Sequence, residues 1–183
     1  NTNRPGHFEI MENALQSRGF IGVKVYPSLG YDIDSDAMEN IYQYCENRNI
    51  PMLMHCSQGG FYYKKKFINN SEPDLLRPVF DRHPKLKFCF GHFGGDENLI
   101  HNKILSSTWT GKILKLMEDY QGVYADISYH TEPMQGGVSE SNYLKNLKEM
   151  MKHNVYRNRL LFGTDYFLVR RRLKEKNYWA YFD

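Results

Sequence analysis

Leu86-Lys87-Phe88-Cys89-Phe90-Gly91-His92 is a short apolar run that stops at a histidine and leaves through Phe93-Gly94-Gly95. Its length and aromatic content, with Pro84 before it and paired glycines after it, predict a buried strand over 86–92. Just upstream, Ser71 stands three residues before Asp74, with Pro73 in the first turn, which is a helix start. Leu75, Leu76, Val79 and Phe80 give that helix an apolar face, and Pro78 should kink or shorten it. A polar loop over Cys56 to Asn70 separates it from a strand over Pro51 to His55. Earlier still, Ser35 and Asp36 open a helix marked by Met38, Ile41, Tyr42 and Cys45 that stops near Asn49. Phe20 to Tyr26 reads as a strand closed by Pro27, after a short helix marked by Met11, Ala14 and Leu15. Downstream, Ile113, Leu114, Leu116 and Met117 mark a helix, and Gly122 to Ser128 a strand. Tyr143, Leu144, Leu147, Met150 and Met151 mark the next helix, and Leu160 to Asp165 the last strand. Strands separated by helices pair in parallel through right-handed crossovers. The class is therefore α/β, in one domain over residues 1–183, without internal repeat or linker.

Composition narrows the function. The 183 residues suffice for a buried core, and 15% aromatic residues exclude low-complexity disorder. A net charge of +3, from 24 basic and 21 acidic residues, is too mild to point to nucleic acid. No apolar run approaches the ~20 residues of a membrane span, and no secretory leader opens the chain. Cys45, Cys56 and Cys89 are odd in number and carry no spacing motif, which points to a reducing, cytoplasmic setting.

The polar residues gather where parallel α/β folds place chemistry, at the carboxyl ends of the strands. The first strand contains Lys24 and ends at Tyr26; the others end in His55, His92, Asp126-Ile127-Ser128 and Asp165. Period-2 alternation pairs Lys24 with Tyr26, His55 with Leu53, His92 with Phe90, and Asp165 with Gly163, all able to face one mouth. Singly, each histidine reads as a hydrogen-bonding residue and the Asp as a turn former. Together, two His and one Asp on three strands make a metal-ligand set suited to Zn²⁺, Mn²⁺ or Fe²⁺. Lys24, facing a barrel interior, must be paired, neutral or modified, and it could meet Asp165, bind a substrate carboxylate, or be carbamylated between two metals. His83 and His153, near helix ends, read as structural, and His7, His101 and His130 as partnerless, although His130 lies on the loop after a strand and could face the mouth. Cys56 reads as packing, and both the Tyr62 to Phe67 run and Arg170 to Arg172 as solvated surface.

Four of these stretches resemble one family. Gly19-Phe-Ile-Gly-Val-Lys-Val-Tyr-Pro27 is similar to the fourth-strand motif of the amidohydrolase superfamily, in its amidohydrolase-related branch. Ile50-Pro-Met-Leu-Met-His55 resembles the branch's fifth strand, His83 to Gly95 its sixth, and Leu160-Leu-Phe-Gly-Thr-Asp165 its eighth. The resemblance implies a (β/α)8 TIM barrel of which this sequence supplies strands four to eight. The family's first-strand His-x-His pair does not occur, and a full barrel takes about 250 residues, so the resemblance implies the C-terminal portion of a longer protein. Such a part has two open sheet edges, which predict self-association or a longer chain.

The implied activity is that of a metal-dependent hydrolase acting on an amide, ester or lactone of a small molecule through metal-activated water. By resemblance His55 is a metal ligand, while Asp165 touches the metal and accepts the water's proton. His92 either stabilises the oxyanion and shuttles protons or ligates a second metal. Lys24 and Tyr26 meet substrate, and Asp126 orients a ligand or Lys24. Zinc heads the implied metals, with manganese or iron as alternatives. Two rivals stand beside this reading, a non-oxidative decarboxylase on the same scaffold and an inactive partial barrel; a nucleic-acid binder is a distant third, and no membrane partner is expected.

Overall fold

Parallel strands in chain order organise the molecule. The computed structural model describes residues 1–17, 19–172 and 174–183. Helix α1 (His7–Ser17) leads to β1 (Val23–Val25), α2 (Asp36–Asn47) to β2 (Met52–Ser57), and α3 (Arg77–Arg82) to β3 (Phe88–Gly94). A short α4 (Glu97–Ile100) and α5 (Trp109–Asp119) precede β4 (Val123–Asp126). Helices α6 (Gly137–Met150) and α7 (Asn154–Arg159) precede β5 (Leu160–Leu161), after which come α8 (Tyr166–Arg172) and α9 (Glu175–Phe182). The sheet order is β1-β2-β3-β4-β5 and every pairing is parallel. This is the parallel α/β order that the alternation of strands and helices predicts, and it fits the partial barrel that the resemblance implies. No helix among the described residues is long and apolar enough to cross a membrane.

Register divides the sheet into two unlike faces. Val25, Met54, Phe90 and Ala125 lie side by side across four strands, as do Met52, Phe88 and Val123, and all of them are buried. Lys24, Leu53, Cys89 and Tyr124 form the alternate row, in which Lys24 is exposed and the others are half-buried. The first rows carry the core. Phe80 of α3 packs edge-on to Phe88 and Phe90, with ring centroids at 5.5 and 6.2 Å, and tilts against Tyr120 at 5.3 Å. Each buried ring removes enough apolar surface from water to stabilise the fold by roughly 2–3 kcal/mol.

Some elements depart from the sequence reading, each for a local reason. The first strand starts at Val23 rather than Phe20, because its first sheet bond runs from the Val23 N–H to the Pro51 carbonyl, and Pro51 has no N–H with which to extend the ladder. Phe20 and Ile21 therefore stand outside the sheet, 60% and 87% exposed. The last strand is only Leu160–Leu161, paired to Ala125 and Asp126, so Asp165 lies on the loop beyond it. Pro78 occupies the first turn of α3, where a missing N–H costs nothing, and a 3₁₀ turn (Pro73–Leu76) precedes it. Helices α4 and α7 are too short for an apolar period to show, and arginine-rich α8 buries Val169 alone. His83 is structural, as expected, but its partners are Glu39 and Glu46 of α2, at 2.8 and 3.0 Å. His153 caps the start of α7 rather than the end of α6, and stacks on Tyr156.

Gly122 sits where two strands begin. A Cβ there would overlap the Leu86 carbonyl oxygen and lie 3.0 Å from its carbon, while the Gly122 carbonyl accepts from the Phe88 N–H at 2.8 Å. Backbone on both sides leaves nothing to give way. Gly122→Ala is expected to lower stability by about 2 kcal/mol or more in urea denaturation. Gly59→Ala, with no atom within 4 Å of the added carbon, should stay within about 0.5 kcal/mol.

Candidate active site

Strand β3 ends abnormally, and the site follows from that. His92, Phe93, Gly94 and Gly95 are consecutively left-handed, with φ of 69°, 47°, 80° and 98°. The glycines adopt this freely, whereas His92 and Phe93 each carry strain of order 1 kcal/mol or more. Side-chain alternation fails at this point. Phe90 faces the helices and is fully buried against Phe80, so an ordinary strand would send His92 the same way. His92 instead turns to the opposite face and lines a pocket there. The expectation that His92 and Phe90 share a face is thus corrected, although His92 does reach the mouth.

Asp126, the last residue of β4, holds this turn. Its Oδ1 accepts from the His92 N–H at 2.9 Å, the Ser128 N–H at 3.0 Å and the Ser128 hydroxyl at 2.5 Å. Ser128 in turn presents its carbonyl oxygen and hydroxyl to His92 Nδ1, at 3.1 and 2.9 Å. A carbonyl only accepts, so Nδ1 carries a proton, and in the neutral ring Nε2 is the acceptor that faces the pocket. Asp165, itself left-handed at φ 50°, places Oδ2 4.0 Å from that nitrogen.

The pocket, about 200 Å³, is lined by Lys24, His55, His92, Asp126, Ser128 and Asp165, among others. Five residues singled out by the sequence therefore meet in it, and the sixth, Tyr26, stacks on His55 with ring centroids 4.0 Å apart. His55 and His92 stand 4.9 Å apart, ring to ring. Gly163 also lines the pocket with Asp165, from the loop after β5 rather than by strand alternation.

Lys24 departs from expectation. It is exposed, and among the described residues it has no ion pair with Asp165 or any other carboxylate. In this chain its ammonium reaches water rather than a carboxylate. Cys56 is packing, as expected, with its thiol directed at the Ser71 carbonyl. The Tyr62–Phe67 run is largely exposed, and Lys64 and Lys66 lie over the rings of their neighbours Tyr63 and Phe67. Arg170 to Arg172 are likewise exposed.

The loop after β2 lies directly on His55. Nε2 is 3.1 Å from the Gly59 carbonyl, so it is the protonated nitrogen, and the Ser57 hydroxyl is 3.3 Å away. Burial, and after it the neighbouring His92, pushes the His55 imidazole down to about 4. The Phe61 N–H donates to the Tyr26 hydroxyl at 2.8 Å, while Ser28 donates to the Phe61 carbonyl at 2.8 Å. Burial raises the Tyr26 phenol. Among the described residues no three His, Cys, Asp or Glu side chains converge on one ion position. With Nε2 of His55 turned to its own loop, the donor set does not close around a metal as it stands.

Gly59-Gly60 beside a strand-end histidine was the available sign of this strap. Ser128 was visible only as part of the polar end of its strand and Tyr178 carried no sign, and His130 is buried rather than facing the mouth. A Cβ at Gly60, where φ is 94°, would overlap the Tyr26 hydroxyl and sit 2.7 Å from His55 Nε2. Gly60→Ala must therefore lift the strap. It is expected to speed diethyl pyrocarbonate modification of His55 severalfold, read by peptide mass spectrometry, with Gly59→Ala unchanged.

Comparison with known proteins agrees with this architecture. A family model described as amidohydrolase matches residues 4–183, whereas no curated protein matches by sequence. A TIM-barrel protein of Bordetella bronchiseptica is 18% identical with a TM-score of 0.57, over 87% of this chain and 49% of its own. An amidohydrolase of Burkholderia multivorans with bound zinc is 11% identical at a TM-score of 0.60, over 97% and 60%. A dihydroxybenzoic acid decarboxylase of Polaromonas sp. JS666, with bound manganese and the inhibitor 2-nitroresorcinol, is 15% identical at 0.52, over 86% and 53%. At these identities the likeness is one of fold, and the chain spans about half to three-fifths of their length. Five parallel strands in order, the barrel relatives and a family match over nearly every residue lead to one conclusion: the chain belongs to the amidohydrolase family.

Proposed function

We propose that this chain carries the proton-handling side of a metal-dependent hydrolase of the amidohydrolase superfamily, acting on an amide, ester or lactone of a small molecule. One observation carries the reading: Nε2 of His92, the acceptor nitrogen of the neutral ring, and the Asp165 carboxylate face each other at 4.0 Å in a pocket at the strand ends. At that separation they do not bond directly, but one water off their axis can donate to both. Either group can then take a proton from the attacking water and return it to the leaving group, the work of a general base and acid. Asp126, through Ser128, keeps Nε2 of His92 towards that water. Tyr26, stacked on His55, walls the substrate side.

His55, His92 and Asp165 are the residues of this chain we assign as donors to a divalent metal, zinc first, with manganese or iron as alternatives. The zinc and manganese in two fold relatives support that assignment. His55 would have to leave the Gly59 carbonyl to serve. We place the protein in the cytoplasm, as an incomplete barrel in one domain that takes a small-molecule substrate and whose open edges pair with a second copy or with further chain.

A second reading, a non-oxidative decarboxylase, draws on Lys24. An exposed ammonium without a carboxylate partner among the described residues, in the same pocket, suits a substrate that brings its own carboxylate. An inactive partial barrel is the third reading.

Panels of lactones and aromatic carboxylates separate these. His92→Ala and Asp165→Ala are each expected to lower kcat by about a hundredfold or more, with melting curves showing the fold retained. Loss confined to aromatic carboxylates, and accompanied by a similar loss in Lys24→Ala, would replace the hydrolase with the decarboxylase; no turnover of either panel would leave the inactive reading. Zinc titration by calorimetry tests the metal assignment, with His55→Ala and Asp165→Ala expected to weaken binding at least about tenfold. Affinities equal to the unaltered chain's would remove it.

A further inference from the structure

His130 is fully buried, yet the chemistry above makes no use of it. Its Nε2 lies 2.9 Å from the His92 carbonyl oxygen and its Nδ1 2.8 Å from the Tyr143 hydroxyl. The carbonyl can only accept, so Nε2 carries the proton and Nδ1 accepts from Tyr143 on α6. The His130 N–H donates to the Tyr178 hydroxyl at 3.1 Å, and that hydroxyl donates to the Ile127 carbonyl at 2.7 Å. Helices α6 and α9 thus grip the segment after β4 from two sides, and His130 extends from it to the peptide between the two strained residues of β3.

We infer that His130 is the positioning residue of His92: by donating Nε2–H to the His92 carbonyl, it holds the peptide that turns the His92 ring out of the helix face and into the pocket. The backbone of His92 is then held at both ends, its N–H by Asp126 and its carbonyl by His130. The Gly95 N–H also donates to that carbonyl, at 2.6 Å, closing the turn from within the strand end, while His130 holds it from the segment after β4. A left-handed histidine followed by a left-handed phenylalanine is not a resting state of the chain, and released from either end it relaxes towards extended backbone. Extended backbone carries the ring to the side occupied by Phe90. A space-filling role would be met by any side chain of similar volume. The role inferred here needs a donor at one end and an acceptor at the other, which a neutral imidazole supplies. The consequence for catalysis rests on the proposed reading of His92; the positioning itself does not.

Protein labelled with ¹⁵N in its histidine rings tests this, using long-range proton–nitrogen correlation above the imidazole titration range, with His92→Gln identifying the His92 signals. The unaltered chain is expected to show His92 as the Nδ1–H tautomer and His130 as the Nε2–H tautomer. In His130→Leu the His92 signals should move to the averaged pattern of a free imidazole, and in His130→Gln, whose amide keeps the donor, they should return. Tyr178→Phe, which loosens the segment carrying His130 without touching His92, should move them in the same direction as His130→Leu. Unchanged His92 signals in folded His130→Leu overturn the inference. So does a failure of His130→Gln to restore them, since that marks a role in shape alone. Where circular dichroism shows that His130→Leu does not fold, unchanged signals in Tyr178→Phe overturn it equally. Full turnover by His92→Ala alongside these shifts would instead remove the proposed function and leave the positioning role standing.

Discussion

One carboxylate oxygen, Oδ1 of Asp126, holds the functional end of the sheet in place. It takes the His92 N–H, which fixes the backbone, and the Ser128 hydroxyl and N–H, which fix the partner of the His92 ring. Hydrogen bonds to an ionised acceptor contribute about 1.5–3 kcal/mol each, enough to offset two strained residues at about 1–3 kcal/mol apiece. The geometry of the site therefore rests on a residue outside the His92–Asp165 pair.

The sheet shows how a core and a site share seven residues of chain. Phe88 and Phe90 face the helices and are dry; Cys89 and Gly91 face the other way, with Cys89 half-buried and Gly91 lining the pocket. Gly91 is small because the pocket floor is close: a Cβ there would lie 3.1 Å from the Met54 carbonyl and 3.5 Å from the Leu53 side chain. The packed face makes the strand rigid, and rigidity is what allows an unfavourable turn to persist at its end.

Much of this was legible in the sequence. Alternating apolar runs and helical spacings placed the strands and their parallel order, and strand-end polarity named Lys24, Tyr26, His55, His92, Asp126 and Asp165. What escaped reading was long-range or non-repeating. Alternation, a rule for extended chain, could not anticipate that His92 arrives by breaking it. His130 looked partnerless because its partners lie 13, 38 and 48 residues away and one of them is a backbone carbonyl. Lys24 looked buried because a closed barrel was assumed around it, whereas exposure depends on what covers the sheet. The aromatic residues of α9 showed no stripe, although Tyr178 among them is wholly buried.

The ring of His55 is confined on both flanks, by the Tyr26 face at 4.0 Å and by a strap that passes close only because Gly60 has no side chain. An imidazole so enclosed cannot change partners by swinging to a new rotamer. It can only have its partner removed. Availability of that nitrogen is accordingly set by the backbone of residues 59–61, and such movement runs on the slower clock of loops rather than that of side chains.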